Sequence, residues 1–354
     1  MEQQPYQTDM LDLLFQPSFY VQNGVITRVN RDAARRLLEP GTPISDILET
    51  GAEEYSHFQG GELYLFLNIA GSVIGATVTR VNDQDVFLLD RSKEREVFEA
   101  LSLAAQEIRE PLSTVTAVSG KLLPTPPEDP GNRITRQLTQ YNRSLYKLLR
   151  LVGNMAYLEF SDKETTHENE VGNIRAYFSE LNTTVKALLS EGNRELLYRE
   201  LPEDLYCYFN RELLERAYLN LVSNAIKFSP DGSRIQVSLT RRRSTLYLTV
   251  QNQPDGCPGN LFFAGPRREP GISDGRCGIG LGMVLVRSAA RIHGGTVLVQ
   301  QTDTATAVTL TLRIKEAGSV EAFSNKLDFD YSGCWDHSLL ELSDALPAKL
   351  YTSF

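Results

Sequence analysis

Hydrophobic and polar positions change their period along this chain, and the changes divide it. From about Pro17 to Asp90 apolar residues fall in short alternating runs bounded by turn residues. Such runs predict strands over 18–22, 25–29, 62–69, 73–81 and 85–89, with Asn23-Gly24 as a tight turn. Asn30 caps a predicted short helix, Arg31 to Leu38, that stops before Pro40-Gly41. The period then becomes heptad. Val97, Leu101, Ala104, Ile108, Leu112, Val115 and Val118 form one seam, and Ile134, Leu138, Tyr141, Leu145, Leu148, Val152 and Met155 a second. Pro124, Pro126, Pro127, Pro130 and Gly131 forbid helix between them, so the pair predicts an antiparallel helical hairpin. One hairpin has a narrow core, and pairing with a second copy into a homodimeric four-helix bundle buries both seams.

Beyond residue 170 helix and strand periods mix. Helices are expected over 173–190, 211–228 and 282–292, the last stopped by Gly294-Gly295. Strands are expected over 234–240, 245–251, 296–301 and 307–314. The closing stretch holds the chain's one Trp, Trp335, and an apolar run, Leu339-Leu340-Glu341-Leu342 with Ala345-Leu346, suited to docking on this chain or on a partner. The division expected is 1–92, 93–160, 170–316 and a tail 317–354, an α+β multidomain protein.

Composition narrows the class. With 354 residues, 41% hydrophobic and 23% charged, and no apolar run near the ~18 residues of a membrane span, the chain reads as cytoplasmic. No secretory pattern opens it. A net charge of −9 argues against nucleic acid as a partner. Cys207, Cys257, Cys277 and Cys334 lack metal-ligand spacing and read as reduced thiols.

Candidate chemistry concentrates in Asn220-Leu-Val-Ser-Asn224-Ala-Ile-Lys227. At helical spacing Asn220, Asn224 and Lys227 share one stripe, while Leu214, Ala217, Leu221, Ala225 and Phe228 form an apolar one. An amide oxygen suits a hard cation and an ammonium suits a phosphate. The same spacing also describes an amphipathic helix with a polar outer face. Further on, Gly278-Ile-Gly280-Leu281-Gly282 leads into an apolar helix.

In this order and distance, the two segments resemble the N box and second glycine box of the ATP-binding domain of sensor histidine kinases. That two-layer α/β sandwich is shared with gyrase, Hsp90 and MutL. The resemblance implies ATP with Mg²⁺: Asn224 as metal ligand, Asn220 one turn earlier, Lys227 on a phosphate oxygen, and backbone amides around Gly278, Gly280, Leu281 and Gly282 closing on phosphates. Asn252 stands where the family has an adenine-binding Asp, and an amide oxygen still accepts that bond. Pro254 replaces a glycine of the same box, and Gly256 keeps one. Residues 260–277 occupy the position of the family's ATP lid, with Arg267 and Arg268 as candidate phosphate contacts. The run Gly24-Val-Ile, Asn30, Ala33-Ala34, Leu37-Leu38 is similar to the opening of a PAS sensor domain.

One departure changes the expected function. Where the family's hairpin carries His-Glu-(Leu/Ile)-Arg-x-Pro-Leu, this chain has Gln106-Glu107-Ile108-Arg109-Glu110-Pro111-Leu112. Glu107 is kept, but the phosphoacceptor position is Gln106, whose amide nitrogen is not a nucleophile. Glu110 stands where some members carry a phosphatase Thr or Asn. None of His57, His167, His293 and His337 lies on the hairpin. The expectation is a nucleotide-binding pseudokinase partnered by a response regulator or a true histidine kinase. Two other readings stand beside it: a kinase acting on a partner's histidine in trans, and an interaction scaffold without nucleotide.

Overall fold

The computed structural model describes Leu11, Leu14 and residues 16–81, 83–90, 133–161, 169–254, 281–317 and 336–352. Within these, residues 133–138, 155–161 and 281 are described by their backbone alone. The first helix of the expected hairpin, with Gln106 and Glu107, lies outside them, as do Gly256, Gly278, Gly280 and the lid segment.

The alternating runs near the start become β1 (Ser18–Gln22) and β2 (Val25–Val29), joined at Asn23 and Gly24, which both take positive φ. Asn30 then caps α1 (Arg31–Ala34): its Oδ1 accepts from Ala33 N at 2.9 Å and also from Ser18 N at 3.1 Å. The helix is shorter than the period predicts. It gives way to a turn in which Leu37 adopts φ +64°, and an exposed leucine has no core to hold it in a further turn of helix. A single turn, α2 (Ala52–Ser56), precedes β3 (Glu62–Ile69), β4 (Ser72–Val81) and β5 (Gln84–Leu89).

After α3 (Arg133–Ser161) come β6 (Glu170–Asn173), α4 (Ile174–Glu191), β7 (Glu195–Arg199), β8 (Tyr206–Phe209) and α5 (Arg211–Lys227). β9 (Arg234–Arg242), β10 (Thr245–Asn252), α6 (Leu281–Ile292), β11 (Val297–Gln301) and β12 (Thr306–Arg313) follow, then α7 (His337–Glu341) and a 3-10 turn over Ala348–Leu350. Helix and strand bounds beyond residue 170 lie within two residues of those expected, whereas β6, β7 and β8 had no counterpart in the periodicity. Gly294, at φ +62°, ends α6 as its position after the apolar run predicts.

Ten strands form one sheet in the order β2-β1-β5-β4-β3-β11-β12-β10-β9-β7. All its neighbours are antiparallel except β7 with β9. The join between the early strands and the later ones is β3 against β11, with Tyr64 opposite Val297 and Glu62 opposite Val299. β3 reads Leu63-Tyr64-Leu65-Phe66-Leu67, apolar at every position, which is what a strand covered on both faces needs. Its alternate side chains enter two cores. Leu63, Leu65 and Leu67 join the core of the early strands, and Tyr64 and Phe66 join the large core beneath α4, α5 and α6. At the same join Arg287 of α6 stacks over the Tyr64 ring at 4.5 Å, and the Tyr64 hydroxyl donates to Asp90 at 2.5 Å.

The heptad seam of α3 is only partly a packing seam against described residues. Tyr141 is 47% exposed and Leu148 40%. Val152 of the seam is buried, together with Asn142, Tyr146, Leu149 and Arg150 from outside it, turned towards α6 and the C-terminal segment. Among the described residues no helix is long and apolar enough to cross a membrane.

Candidate functional site

α5 is built to lie in the core. Asn210 caps it, its Oδ1 accepting from Leu213 N at 2.8 Å. Leu214, Ala217, Leu221 and Ala225 are buried as their stripe predicts. The polar stripe departs from the outer-face reading, because Asn220 is only 1% exposed. A buried amide must spend its hydrogen-bonding capacity inside the protein, and Asn220 does so at both ends. Its Nδ2 donates to Arg216 O at 2.8 Å, one turn back, and its Oδ1 accepts from Arg150 Nη2 at 2.6 Å.

Gly282, the second residue of α6, sits directly on this amide. A Cβ placed there meets Asn220 Oδ1 at 2.5 Å and Cγ at 3.2 Å, so any larger residue at this position has to displace the amide. The asparagine stripe and the end of the second glycine box, some sixty residues apart in sequence, are thus in contact. Asn224, one turn beyond Asn220, is half-buried, and its side chain makes no hydrogen bond with a described residue. Lys227 ends the helix, and its ammonium lies 2.8 Å from Asp344 Oδ2. Burial, followed by the charge of Arg150, holds the Lys227 pKa below the usual lysine value, even though Asp344 pulls the other way. Asn252 closes β10, with Nδ2 donating to Phe228 O at 3.3 Å and Gln253 O at 3.1 Å. Two carbonyls on one end of the amide fix its orientation, so its acceptor oxygen faces away from them. That places Asn252 beside the C-terminal end of α5.

Sequence reasoning missed a second set of residues here, supplied by α3 and the C-terminal segment. Glu341, 0% exposed, accepts from Arg150 Nε at 3.3 Å through one oxygen and from Arg216 Nη1 at 3.3 Å through the other. Arg150 also donates to Asp344 at 2.8 Å, and Arg216 to Glu212 at 3.1 Å and to Asn154 at 3.4 Å. Arg150, Arg216 and Lys227 are therefore set against Glu341, Asp344 and Glu212, and no cation of the group lacks a carboxylate. Burial pushes the Glu341 carboxyl above the usual range, with Arg216 and Arg150 pulling it back in part. Burial works against the Asp344 charge too, but Arg150 and Lys227 outweigh it and hold that carboxyl below the usual range. Arg143 secures the segment's backbone, donating to Ser343 O at 3.0 Å and Asp344 O at 3.1 Å. Asn142 does the same with Tyr351 O at 3.1 Å.

The arrangement fits an anion and a hard cation better than nucleophilic chemistry. Lys227 already holds an anionic oxygen at bonding distance, and Asn224 offers an amide oxygen next to it on the same stripe. No cluster of His, Cys, Asp and Glu suited to a metal occurs among the described residues. His57 is exposed and bonded to the backbone of its own turn. Cys207 is buried, its thiol pushed up to about 12 by desolvation and so inert as a nucleophile.

Known proteins resemble the part of the chain that carries α5 and α6. Residues 209–316 match the family described as histidine kinase-, DNA gyrase B-, and HSP90-like ATPase. Hybrid signal transduction histidine kinase D of Dictyostelium discoideum is 26% identical over 72% of this chain and 17% of its own. The adaptive-response sensory kinase SasA of Crocosphaera subtropica is 27% identical over 62% of this chain and 61% of its own. In both cases the matched region is less than two thirds of the relative's length. Among solved structures, histidine kinase ThkA in complex with response regulator protein TrrA aligns at 16% identity and a TM-score of 0.42, over 85% of this chain and 96% of the other. Residues 209–316 carry a histidine kinase-like ATPase domain, and the relatives support the sensor histidine kinase family.

Proposed function

We propose that this chain is a sensor histidine kinase homologue of a two-component pathway that binds ATP with Mg²⁺ along the outer end of α5 and signals as a pseudokinase. The observation that carries the reading is the contact of Gly282 with Asn220, which joins the two motifs from which the family builds its nucleotide site. In this reading Asn224 holds Mg²⁺, Lys227 takes a phosphate oxygen and the Asn252 amide oxygen takes the adenine amino group. Bound Mg²⁺ would shield the charge of the phosphates, and this chain's own residues would orient the nucleotide. Gln106 at the acceptor position argues for signalling through nucleotide-dependent contacts rather than by autophosphorylation.

The remaining divisions belong to the same proposal. The five antiparallel strands of 17–90, with short helices inserted between β2 and β3, support a PAS-like sensor over 1–92. The exposed Tyr141 and Leu148 on α3 support a hairpin over 93–160 that pairs in a homodimer, with a response regulator or a true histidine kinase as the further partner. The test is incubation with Mg²⁺ and γ-labelled ATP, with Asn224→Ala as control. The expected result is nucleotide bound by the wild type and not by the variant, with no label transferred to protein. Stable label on the wild type alone would replace this reading with an active kinase, and absence of binding would leave a scaffold.

A further inference from the structure

The C-terminal segment is held in two different ways. Its anchor is buried: Leu340, Leu342, Leu346 and Tyr351 enter the same core as α4 and α5, and Glu341 is enclosed between Arg150 and Arg216. Withdrawing that carboxylate takes one partner from each of two buried guanidinium groups at once, so the anchor stays. The other hold is Asp344, whose side chain is 32% exposed and whose Oδ2 lies 2.8 Å from both Lys227 Nζ and Arg150 Nη1. A carboxylate oxygen and a phosphate oxygen are the same kind of acceptor to an ammonium. Lys227 cannot give its full charge to a phosphate while Asp344 has it. If Asp344 lets Lys227 go, it keeps Arg150, so neither charge is stranded by an exchange.

We propose that Asp344 is the resident anion of the phosphate subsite, and that a nucleoside triphosphate binds by exchanging with it on Lys227. The anchored C-terminal segment thereby sets the nucleotide affinity of the chain and acts as an intramolecular competitor. The inference rests on the nucleotide reading above. It gives the segment a role that residues 209–316 alone would not supply. The occupied state is the one described here; the nucleotide-bound state differs from it at Asp344 and not at Glu341.

The test is a titration of the full chain with a fluorescent ATP analogue in the presence of Mg²⁺, comparing wild type, Asp344→Asn, Asp344→Ala and Asp344→Glu. A partly exposed ion pair of this kind corresponds to about a two- to five-fold change in affinity. Both neutral variants are therefore expected to bind tighter by about that factor, and Asp344→Glu to stay near wild type. Unfolding midpoints measured alongside show whether each variant is folded. Equal or weaker binding by a folded neutral variant overturns the exchange while leaving nucleotide binding in place. No saturable binding by any of the four proteins removes the nucleotide reading, and the exchange with it.

Discussion

Gly282→Ala is a substitution whose sign is set by competing terms that the structure supplies. In a helix, alanine for glycine is favourable by up to about 1 kcal/mol, and somewhat less at the second position, where the backbone is only half committed. Against this, the new Cβ lies 2.5 Å from Asn220 Oδ1, far inside contact distance. The oxygen belongs to a side chain, so rotation of the amide is the cheapest relief. That rotation gives up the 2.6 Å bond from Arg150, a charged donor and worth about 1.5–3 kcal/mol. It also weakens the 2.8 Å bond from Nδ2 to Arg216 O, worth about 0.5–1.5 kcal/mol. Arg150 retains Glu341 and Asp344, which keeps the loss at the lower end. The balance is a destabilisation of about 2 kcal/mol, or about 4–8 °C in Tm for a domain of this size. Urea unfolding of the wild type, Gly282→Ala, Asn220→Ala and the double variant closes a thermodynamic cycle. Asn220→Ala removes the obstructing oxygen, so Gly282→Ala in that background is expected to be neutral or slightly stabilising. If Gly282→Ala stabilises the protein while Asn220 is present, Gly282 does not sit on the Asn220 amide.

Three further outcomes follow from the same geometry. Glu341→Ala leaves Arg150 and Arg216 buried with one carboxylate each, at Asp344 and Glu212, and is expected to cost about 3 kcal/mol in urea unfolding; a loss under 1 kcal/mol would mean that the carboxylate is not enclosed. Asn30→Ala removes the cap of α1 together with the acceptor for Ser18 N and the donor to Gln16 O at 2.9 Å, and should lower stability by about 2–3 kcal/mol, read as a Tm shift that Asn30→Asp restores only in part. Asp344, depressed below its ordinary value of 3.8, contributes stability that is present above that pH and is lost as pH falls through its folded value, so the Tm gap between wild type and Asp344→Asn should hold from pH 7 to about 5 and close below about 4; a gap that widens in acid would contradict the pairing.

What the sequence made legible was what local period and local chemistry determine. The cap at Asn30, the glycine stop after α6 and the apolar stripe of α5 each depend on residues within a turn or two, and all three are where their patterns put them. The short strands β6 and β8 were not legible, because at four residues a period of two has too few repeats to stand out. β3 carried a signal that could have been used. Five consecutive apolar residues cannot belong to a strand with one wet face, and they called for a second covering layer, the core beneath α4, α5 and α6 that Tyr64 and Phe66 enter. The seam on α3 says nothing of the C-terminal segment: a heptad marks one face that wants a partner, whereas Arg150 and Asn142, polar residues on another face, meet that segment. The candidate site divides along the same line. Asn220, Asn224, Lys227 and Gly282 were found because a motif fixes their spacing. Arg150, Arg216, Glu341 and Asp344 were not, because no spacing relates residues brought together from three separate segments. Complementary charge was the only available signal, and in a chain with 36 basic and 45 acidic residues it does not single out a pair. Burial does. An ion pair at the surface can be lost at little cost, whereas Glu341 between two arginines commits the C-terminal segment to α3 and α5 at once, and that commitment carries Asp344 to Lys227.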